Sequence, residues 1–440
     1  GNGGDITFKA GGDIVADDIQ AFGFLSGGNI TLISGGTIDT TKVDTVLNTP
    51  GNIFSCSANQ TGCLGASGKG GTITLQATKD IFTGAINSNG VLGGGNVLLT
   101  SSEGEIDTSA GNIDTGTANF STGNSGTVTL NAQGDITTAS INTIVGLKST
   151  GNAGTISLTS KAGAIDTSKG VLDAGTTFGN GGKIEFNAAG NITTGRILSY
   201  VVNQGSGNAG EISLISTGGV IDTTKGITKD ETKANLDSRS EGGNGGNITL
   251  SAAGDITTLN IDSSSFTKGS GGDVSFTTSG GNIAIAGGID ARSKDGTATG
   301  NGGDIALSAA GNITPGGLDT SSTKNGDGGN ITVKAGGNII GAVDTNSGAI
   351  NGKGGDITFQ AGGNIIADDI FAFGSQGGGN IELISDGKID LTDVTQNKDP
   401  EATPGTIISC SGSDSNCNGS GTGGNITLKA ANDIVVGGIS

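Results

Sequence analysis

Apolar residues in this chain recur in fixed columns. Aligned on Gly-Gly-x-Ile-Thr-Leu-x-Ala-x-Gly-x-Ile, the sequence falls into fifteen consecutive copies. The first column is Ile or Val in every copy, from Ile6, Ile30 and Ile73 through to Ile381 and Ile426. Two residues later stands Leu, Phe or Val, as at Phe8, Leu32, Phe276, Val333 and Leu428. A spacing of two places both columns on one face of a β-strand. Eight or nine residues after the first column comes a second, which is Ile in all fifteen copies: Ile14, Ile38, Ile81, Ile106, Ile136, Ile165, Ile192, Ile221, Ile256, Ile283, Ile313, Ile339, Ile365, Ile389 and Ile434. Four to seven residues on lies a looser third column, among it Ile19, Ile86, Ile113, Ile141, Ile197, Ile261, Ile289, Leu318, Val343, Ile370 and Ile439. Each copy therefore predicts three short strands bounded by Gly, Asn or Asp.

Copies follow one another at 24 to 45 residues, with nearly all of the variation after the third strand. Constant spacing inside a repeat and variable spacing at one corner is what a coiled solenoid needs. Each turn of chain makes three strands around a triangular cross-section, and turns stack in parallel register at about 4.8 Å. Stacking sets Ile on Ile, so that each turn's small apolar surface joins a common core. The pattern predicts an all-β fold: a right-handed parallel β-helix of about fifteen rungs, a single continuous solenoid over 1–440, roughly 70 Å long at that rise. Long insertions at 43–69 and 392–422, each holding a cysteine pair, should bulge from it.

A second period lies above the rung. Gly354–Gly379 repeats Gly3–Gly28 closely, and the likeness continues through Phe22 and Phe373 to two cysteine loops. The offset is about 351 residues, giving a unit at about 3–353 and a second beginning at 354. This predicts a fragment of a longer tandem array, in which the partner is the continuation of the same fibre or a second copy.

Composition now reads differently. One residue in five is glycine (88 of 440), with no His, Met or Trp. Without the rungs this suggests disorder; with them it marks corners where a positive φ or close backbone approach excludes a Cβ. Glycine at every third position is absent, which excludes collagen, and no apolar run is long enough for a membrane span. A formal charge of -19 argues against nucleic acid and anionic lipid as partners.

The cysteines form two similar pairs, Cys56/Cys63 and Cys410/Cys417, each separated by six residues in a turn-rich stretch. The spacing suits local disulfides and hence an oxidising, extracellular location. Free thiols, or a metal site lacking two further ligands, are the alternatives.

Candidate chemistry is sparse. Absence of histidine removes imidazole catalysis. Asp17-Asp18 and Asp368-Asp369 are the best acidic pairs for a polysaccharide-acting enzyme, but adjacent strand residues face opposite ways. No catalytic residue and no metal ligand is assigned. Gly242–Ile248 resembles the nonapeptide of calcium β-rolls, and Asp39, Asp107, Asp166, Asp222 and Asp390 could stack into a weak surface calcium site. Otherwise no cofactor is expected, and the bland reading of those residues is a turn aspartate that caps backbone amides. The outward column Thr7, Thr31, Thr74, Thr129, Thr249, Thr332, Thr358 and Thr427 raises ice binding, but Leu98, Glu185, Ala306 and Glu382 interrupt it. Cross-strand stacking accounts for the threonines. Asn-Ile-Thr triplets match the glycosylation sequon only as by-products of the repeat. The exterior promises no large apolar patch, so sideways contacts between rods should be polar.

Repeats such as Gly-Gly-Asn-Ile-Thr-Leu-Ser-Ala-Ala-Gly-Asp-Ile-Thr-Thr at Gly245–Thr258 resemble those of filamentous-haemagglutinin-like exoproteins of the two-partner secretion pathway, cyanobacterial ones in particular. The resemblance spans the chain and implies a right-handed β-helix, an outer-membrane secretion partner, and a cell-surface adhesin or fibre. The family's N-terminal secretion domain is not in this sequence, and the two cysteine loops depart from its usual pattern. Three functions follow, in order: a structural extracellular fibre, an adhesin working through its long loops, and a polysaccharide-acting β-helix.

Overall fold

The computed structural model describes residues 1–41, 50–57, 63, 68–202, 205–225, 235–294, 300–323, 325–342, 345–391, 405–413 and 417–440. The chain divides into two compact units, Gly1–Glu231 and Thr232–Ser440. Each is a parallel β-helix built from three sheets. In the first unit eight first strands, eight second strands and seven third strands pair in chain order; in the second the numbers are seven, seven and eight. One rung, Val128–Ala132, Ile136–Thr138 and Ile141–Asn142, shows the plan: a five-residue strand and two shorter ones.

Register follows the columns. Val97, Val128, Ile156 and Ile184 stack in the first sheet, and Ile106, Ile136, Ile165 and Ile192 in the second. Every ladder isoleucine from Ile38 to Ile389 is at most 1% exposed, so each contributes about 1.5–3 kcal/mol of burial. A one-residue slip would turn the whole column outward.

The third column needed correction. Val343 lies outside the described residues, and the position that pairs with Leu318 is Thr345. Ile53, Leu172, Leu236 and Ile407 also belong to the column. Ile53 and Ile407 sit inside the stretches 43–69 and 392–422, so those stretches hold the third strand of their own rung as well as insertions on either side of it. Much of both stretches lies outside the described residues.

Length variation is tolerated at the third corner because its base is pinned. The N–H of the glycine two residues before a first strand donates back to the residue just past the third strand: Gly95 to Ser88 O, Gly126 to Thr115 O, Gly182 to Ala174 O and Gly329 to Thr320 O, all at 2.7–2.9 Å. The intervening loops differ in length while their ends stay fixed, so a longer loop costs only the slow growth of closure entropy. Hydroxyls add a second staple. Ser88 Oγ donates to Gly71 O, and Thr115 Oγ1 to Gly126 O.

These glycines are required by crowding. A Cβ on Gly126, Gly154, Gly182 or Gly355 would overlap the carbonyl of the glycine one rung below. Among the described glycines positive φ is confined to Gly93, Gly341 and Gly377, so close approach is the cause in the columns.

The mixed spacing of eight or nine residues also has a structural cause. Over the six rungs of the first unit whose first strands run from Ile73–Ala77 to Ile212–Ser216, two kinds alternate. One ends its first strand in Ala (Ala77, Ala132, Ala188) and follows its ladder Ile with Phe or Thr. The other ends in Ser (Ser101, Ser160, Ser216), carries the extra residue, and follows its Ile with Asp107, Asp166 or Asp222. The serine accepts the N–H of its own turn at Gly104, Gly163 or Gly219 and donates to a carbonyl of the preceding rung. One hydroxyl thus closes the longer turn and joins two rungs.

Candidate functional site

The chemistry of this surface begins at its corners. The residue before each first and second strand is often Asn or Asp, and its Oδ1 accepts the backbone N–H of the equivalent residue one rung on. In the second unit the column Asn247, Asp273, Asp304, Asn330, Asp356, Asn380 and Asn425 is joined by six such bonds of 2.7–3.0 Å. A parallel column, Asp255, Asn282, Asn312, Asn338, Asn364 and Lys388, is joined by five more. In the first unit Asn124, Asn152, Asn180 and Asn208, each four residues before its first strand, are linked in the same way. At a corner the chain turns away from its neighbour, and the side chain replaces the missing carbonyl. Each bond is worth about 0.5–1.5 kcal/mol net, and the ladder runs along the stacking direction.

These ladders occupy groups that could otherwise bind ions. Asn244 and Asn247, within the roll-like Gly242–Ile248, accept the N–H groups of Ser270 and Asp273. Asp39, Asp107, Asp166 and Asp222 do not stack. They stand on alternate rungs, separated in register by Phe82, Thr137 and Thr193. That puts neighbours about 9–10 Å apart, too far to share an ion. Each folds onto its own turn: Asp107 Oδ1 takes the N–H of Ser109 at 2.8 Å, Asp166 that of Ser168 at 2.9 Å, and Asp222 that of Thr224 at 2.9 Å. Asp390 meets Lys388 Nζ at 2.8 Å. Among the described residues no group of three or more His, Cys, Asp or Glu is placed to hold a metal.

The acidic pairs sit in corners between second and third strands, where the sequence reading had put them on a strand. Asp18 accepts the N–H of Asn52 and Asp369 that of Thr406, both at 2.7 Å, so one member of each pair belongs to the corner ladder. An open cleft of about 480 Å³ in the second unit runs between two Asx columns, past Asp273, Asp304, Asp327, Asp356 and Lys353. One oxygen of each of these four aspartates already accepts a ladder bond.

Cys56 is joined to Cys63 and Cys410 to Cys417 by disulfides, each with Cα atoms 5.4 Å apart. The free-thiol and metal alternatives for all four residues therefore fall. Their placement corrects the expectation that each pair rides on a bulging insertion. Cys56 and Cys410 stand just past the third strands Ile53–Phe54 and Thr406–Ile408 and are buried against the solenoid. Cys63 and Cys417 belong to the insertions and are only half-buried, and Cys417 turns the chain back with a φ of 58°. The physical reason is that the third strand runs inside the stretch, so each bridge fastens a loop to the solenoid wall.

The outward threonine column is real in register, Thr7 on Thr31 on Thr74, but Leu98, Ser157, Glu185 and Ala306 interrupt it.

A charged column escaped the sequence reading. On the third sheet of the second unit Asp237, Asp262, Asp290 and Asp319 stand in register. Arg239, Arg292 and Lys294 each lie within 4 Å of two of them. Burial works against the Asp290 carboxylate, yet Arg292 and Lys294 hold its pKa below the usual range. At Asp319 burial outweighs Arg292 and the pKa rises. Among the described residues these four acids and three bases form one ion-pair network.

In the first unit the same outward position carries Asp173, whose pKa is raised to about 6 by burial, against hydrogen bonds from the Gly175 N–H and the Tyr200 hydroxyl and the charge of Arg196. A raised carboxyl pKa costs the folded state its stability above the unfolded value near 4, with the full cost present above about pH 6. Asp173→Asn is therefore expected to stabilise the protein by on the order of 1–3 kcal/mol at pH 7 and to change little at pH 4. Urea midpoints of both proteins across that range check the sign: equal midpoints at pH 7 would refute the shift.

The expectation that the exterior offers no large apolar patch meets an exception. At the third corner of the first unit, Leu92, Phe120, Leu147 and Phe178 are 47%, 71%, 60% and 38% exposed. The sequence hid them because loop length varies there, so they share no column.

No family model, curated protein or solved structure matches the chain. Its class rests on its own architecture: a parallel β-helix repeat protein with two disulfides. Among the described residues no helix is long and apolar enough to cross a membrane.

Proposed function

We propose that this chain is part of a non-enzymatic, extracellular structural fibre, built by repetition of a long β-helical unit. The observation that carries the reading is the match between the long sequence period and the rung. Ile6–Ala10 and its copy Ile357–Ala361 are 351 residues and twelve first strands apart. The cysteine loops follow the third strands Ile53–Phe54 and Thr406–Ile408, which are also twelve third strands apart. A period that is a whole number of rungs lets units follow one another without breaking the register of any sheet. Corner ladders bonded from rung to rung support a load along the stacking direction, and polar side chains committed to them are withdrawn from catalysis. The Cys56–Cys63 and Cys410–Cys417 disulfides support an oxidising location outside the cytoplasm.

Export through an outer-membrane partner, as in the two-partner secretion pathway, fits this reading and rests on the repeat resemblance alone. The adhesin reading is favoured by one feature, the disulfide that ties Cys63 or Cys417 of each long third-corner stretch to the solenoid wall at Cys56 or Cys410. Cryo-electron microscopy of native material separates the two. The fibre reading expects filaments with a rung spacing near 4.8 Å and a loop feature every twelve rungs, about 58 Å. Single tethered rods that engage a glycan or cell through the loops would overturn it.

A further inference from the structure

We propose that the third corner of the first unit, around Phe120, is a lateral docking face for a second copy of this chain. Four large apolar side chains line it on successive rungs. Phe120 N–H donates to Leu147 O at 2.9 Å, Gly90 bridges Thr117 beside Leu92, and Thr177 Oγ1 donates to Gly146 O beside Phe178. The residues thus form one ridge that follows the stack.

Three observations set this ridge apart. It sets four large exposed apolar side chains on four consecutive rungs of a surface rich in Thr, Ser, Asn and Asp, a run that isolated exposed apolar residues would not make. Secondly, the corner segments 88–96, 115–127, 143–155 and 174–182 contain no Asp or Glu and a single cation, Lys148. The whole chain has a formal charge of -19, so a face without carboxylates avoids the repulsion that acidic faces meet between copies. Thirdly, Phe120 and Lys148 have φ of 63° and 58°. The left-handed region costs a residue with a Cβ about 1–2 kcal/mol, and a chain with 88 glycines has the strain-free residue in abundance. Instead the strained positions carry a ring and an ammonium that meet at 5.6 Å, holding the ring outward.

A ridge with the chain's own periodicity, without acidic residues, matches another copy of itself better than a partner chosen for charge. Its exposed side-chain area is on the order of 400 Å², or about 800 Å² when two ridges meet, below the roughly 1,200 Å² of stable complexes. The contact is therefore weak between single chains and gains strength where many copies lie side by side. It concerns sideways association and stands whether or not units continue end to end.

The test is sedimentation equilibrium of the 440-residue chain over about 10 µM to 1 mM, comparing wild type with Phe120→Gly/Leu147→Ser. Wild type is expected to rise in average mass with concentration, and to keep doing so in 0.5 M salt, roughly the range in which exposed charges are screened. The double variant should lose at least tenfold in association constant. Phe120→Gly alone should melt at or above the wild-type temperature, since it removes strain and no buried contact. A wild type that stays monomeric throughout would overturn the proposal and leave the ridge to a different partner. Association that survives the double substitution would also overturn it, by assigning self-contact to the ends of the solenoid. A lower melting temperature for Phe120→Gly would mark the ring as part of the fold.

Discussion

Gly154→Val is expected to be among the most destabilising single substitutions in the chain, at about 3 kcal/mol or more, the top of the range for overpacking. Gly154 is held from three sides. Its N–H donates to Ser125 Oγ at 2.7 Å and Thr143 O at 3.2 Å, and its carbonyl accepts Thr143 Oγ1 at 2.8 Å. A Cβ there would run into the backbone carbonyl of Gly126, whose own Cβ position is filled by the carbonyl of Gly95. Usual relief, a neighbouring side chain changing rotamer, is not on offer, because the obstacle is main chain stacked on main chain. The rungs would have to part and lose the glycine pins of two loops, Gly154 N–H on Thr143 O and Gly126 N–H on Thr115 O. Gly12 is the control, since a Cβ there meets nothing within 4 Å and its φ is not positive. Gly12→Ala should stay within about 0.5 kcal/mol of wild type. Urea midpoints that fall equally for both variants would show that glycine acts here through backbone entropy and would refute the crowding argument.

That contrast explains how far the sequence could be read. The unbroken Ile column from Ile14 to Ile434 identified the second sheet, because its partners recur at a nearly constant distance from the first column. The third sheet was read only in part. Ile53 and Ile407 follow their ladder isoleucines at 15 and 18 residues, against four to seven in the short copies, and Thr345 is not apolar. The pairing of Cys56 with Cys63 and of Cys410 with Cys417 was legible from spacing, because a seven-residue separation closes locally. Which partner lies in the wall and which in the loop was not, since that depends on the unseen third strand. Corner ladders were missed for a different reason. Asn282 and Asn312 look like ordinary turn residues in isolation, and their role exists only between rungs, where the bonded partner is 30 residues away. The signal was the Asn or Asp that precedes so many strands. Asp237, Asp262, Asp290 and Asp319 were hidden by the same looseness of the third column that hid the ridge. Asp107 and Asp166 do not stack because Thr137 stands between them in the ladder, and only the rung register, not the spacing along the chain, shows it.

Ile136→Ala is the second large effect expected, and its reach along the stack matters as much as its size. Ile136 is fully buried between Ile106 and Ile165. Truncation removes most of the side chain from a column whose neighbours are fixed by strand register and cannot collapse inward, so the loss should lie in the range of about 2–5 kcal/mol for such cavities. In a compact globular core that loss would lower the protection of the whole domain. Here each rung touches only the rungs before and after it, so stability is a sum of rung and interface terms. Hydrogen exchange should therefore show a sharp fall in protection for the first-unit strands Val97–Ser101 through Ile165–Thr167, with little change in the strands Ile331–Ala335 and Ile357–Ala361 of the second unit. Uniform loss of protection across both units would mean that the solenoid opens as one cooperative block. A confined loss is what a fibre under tension requires, because damage to one rung then leaves the ladders on either side intact.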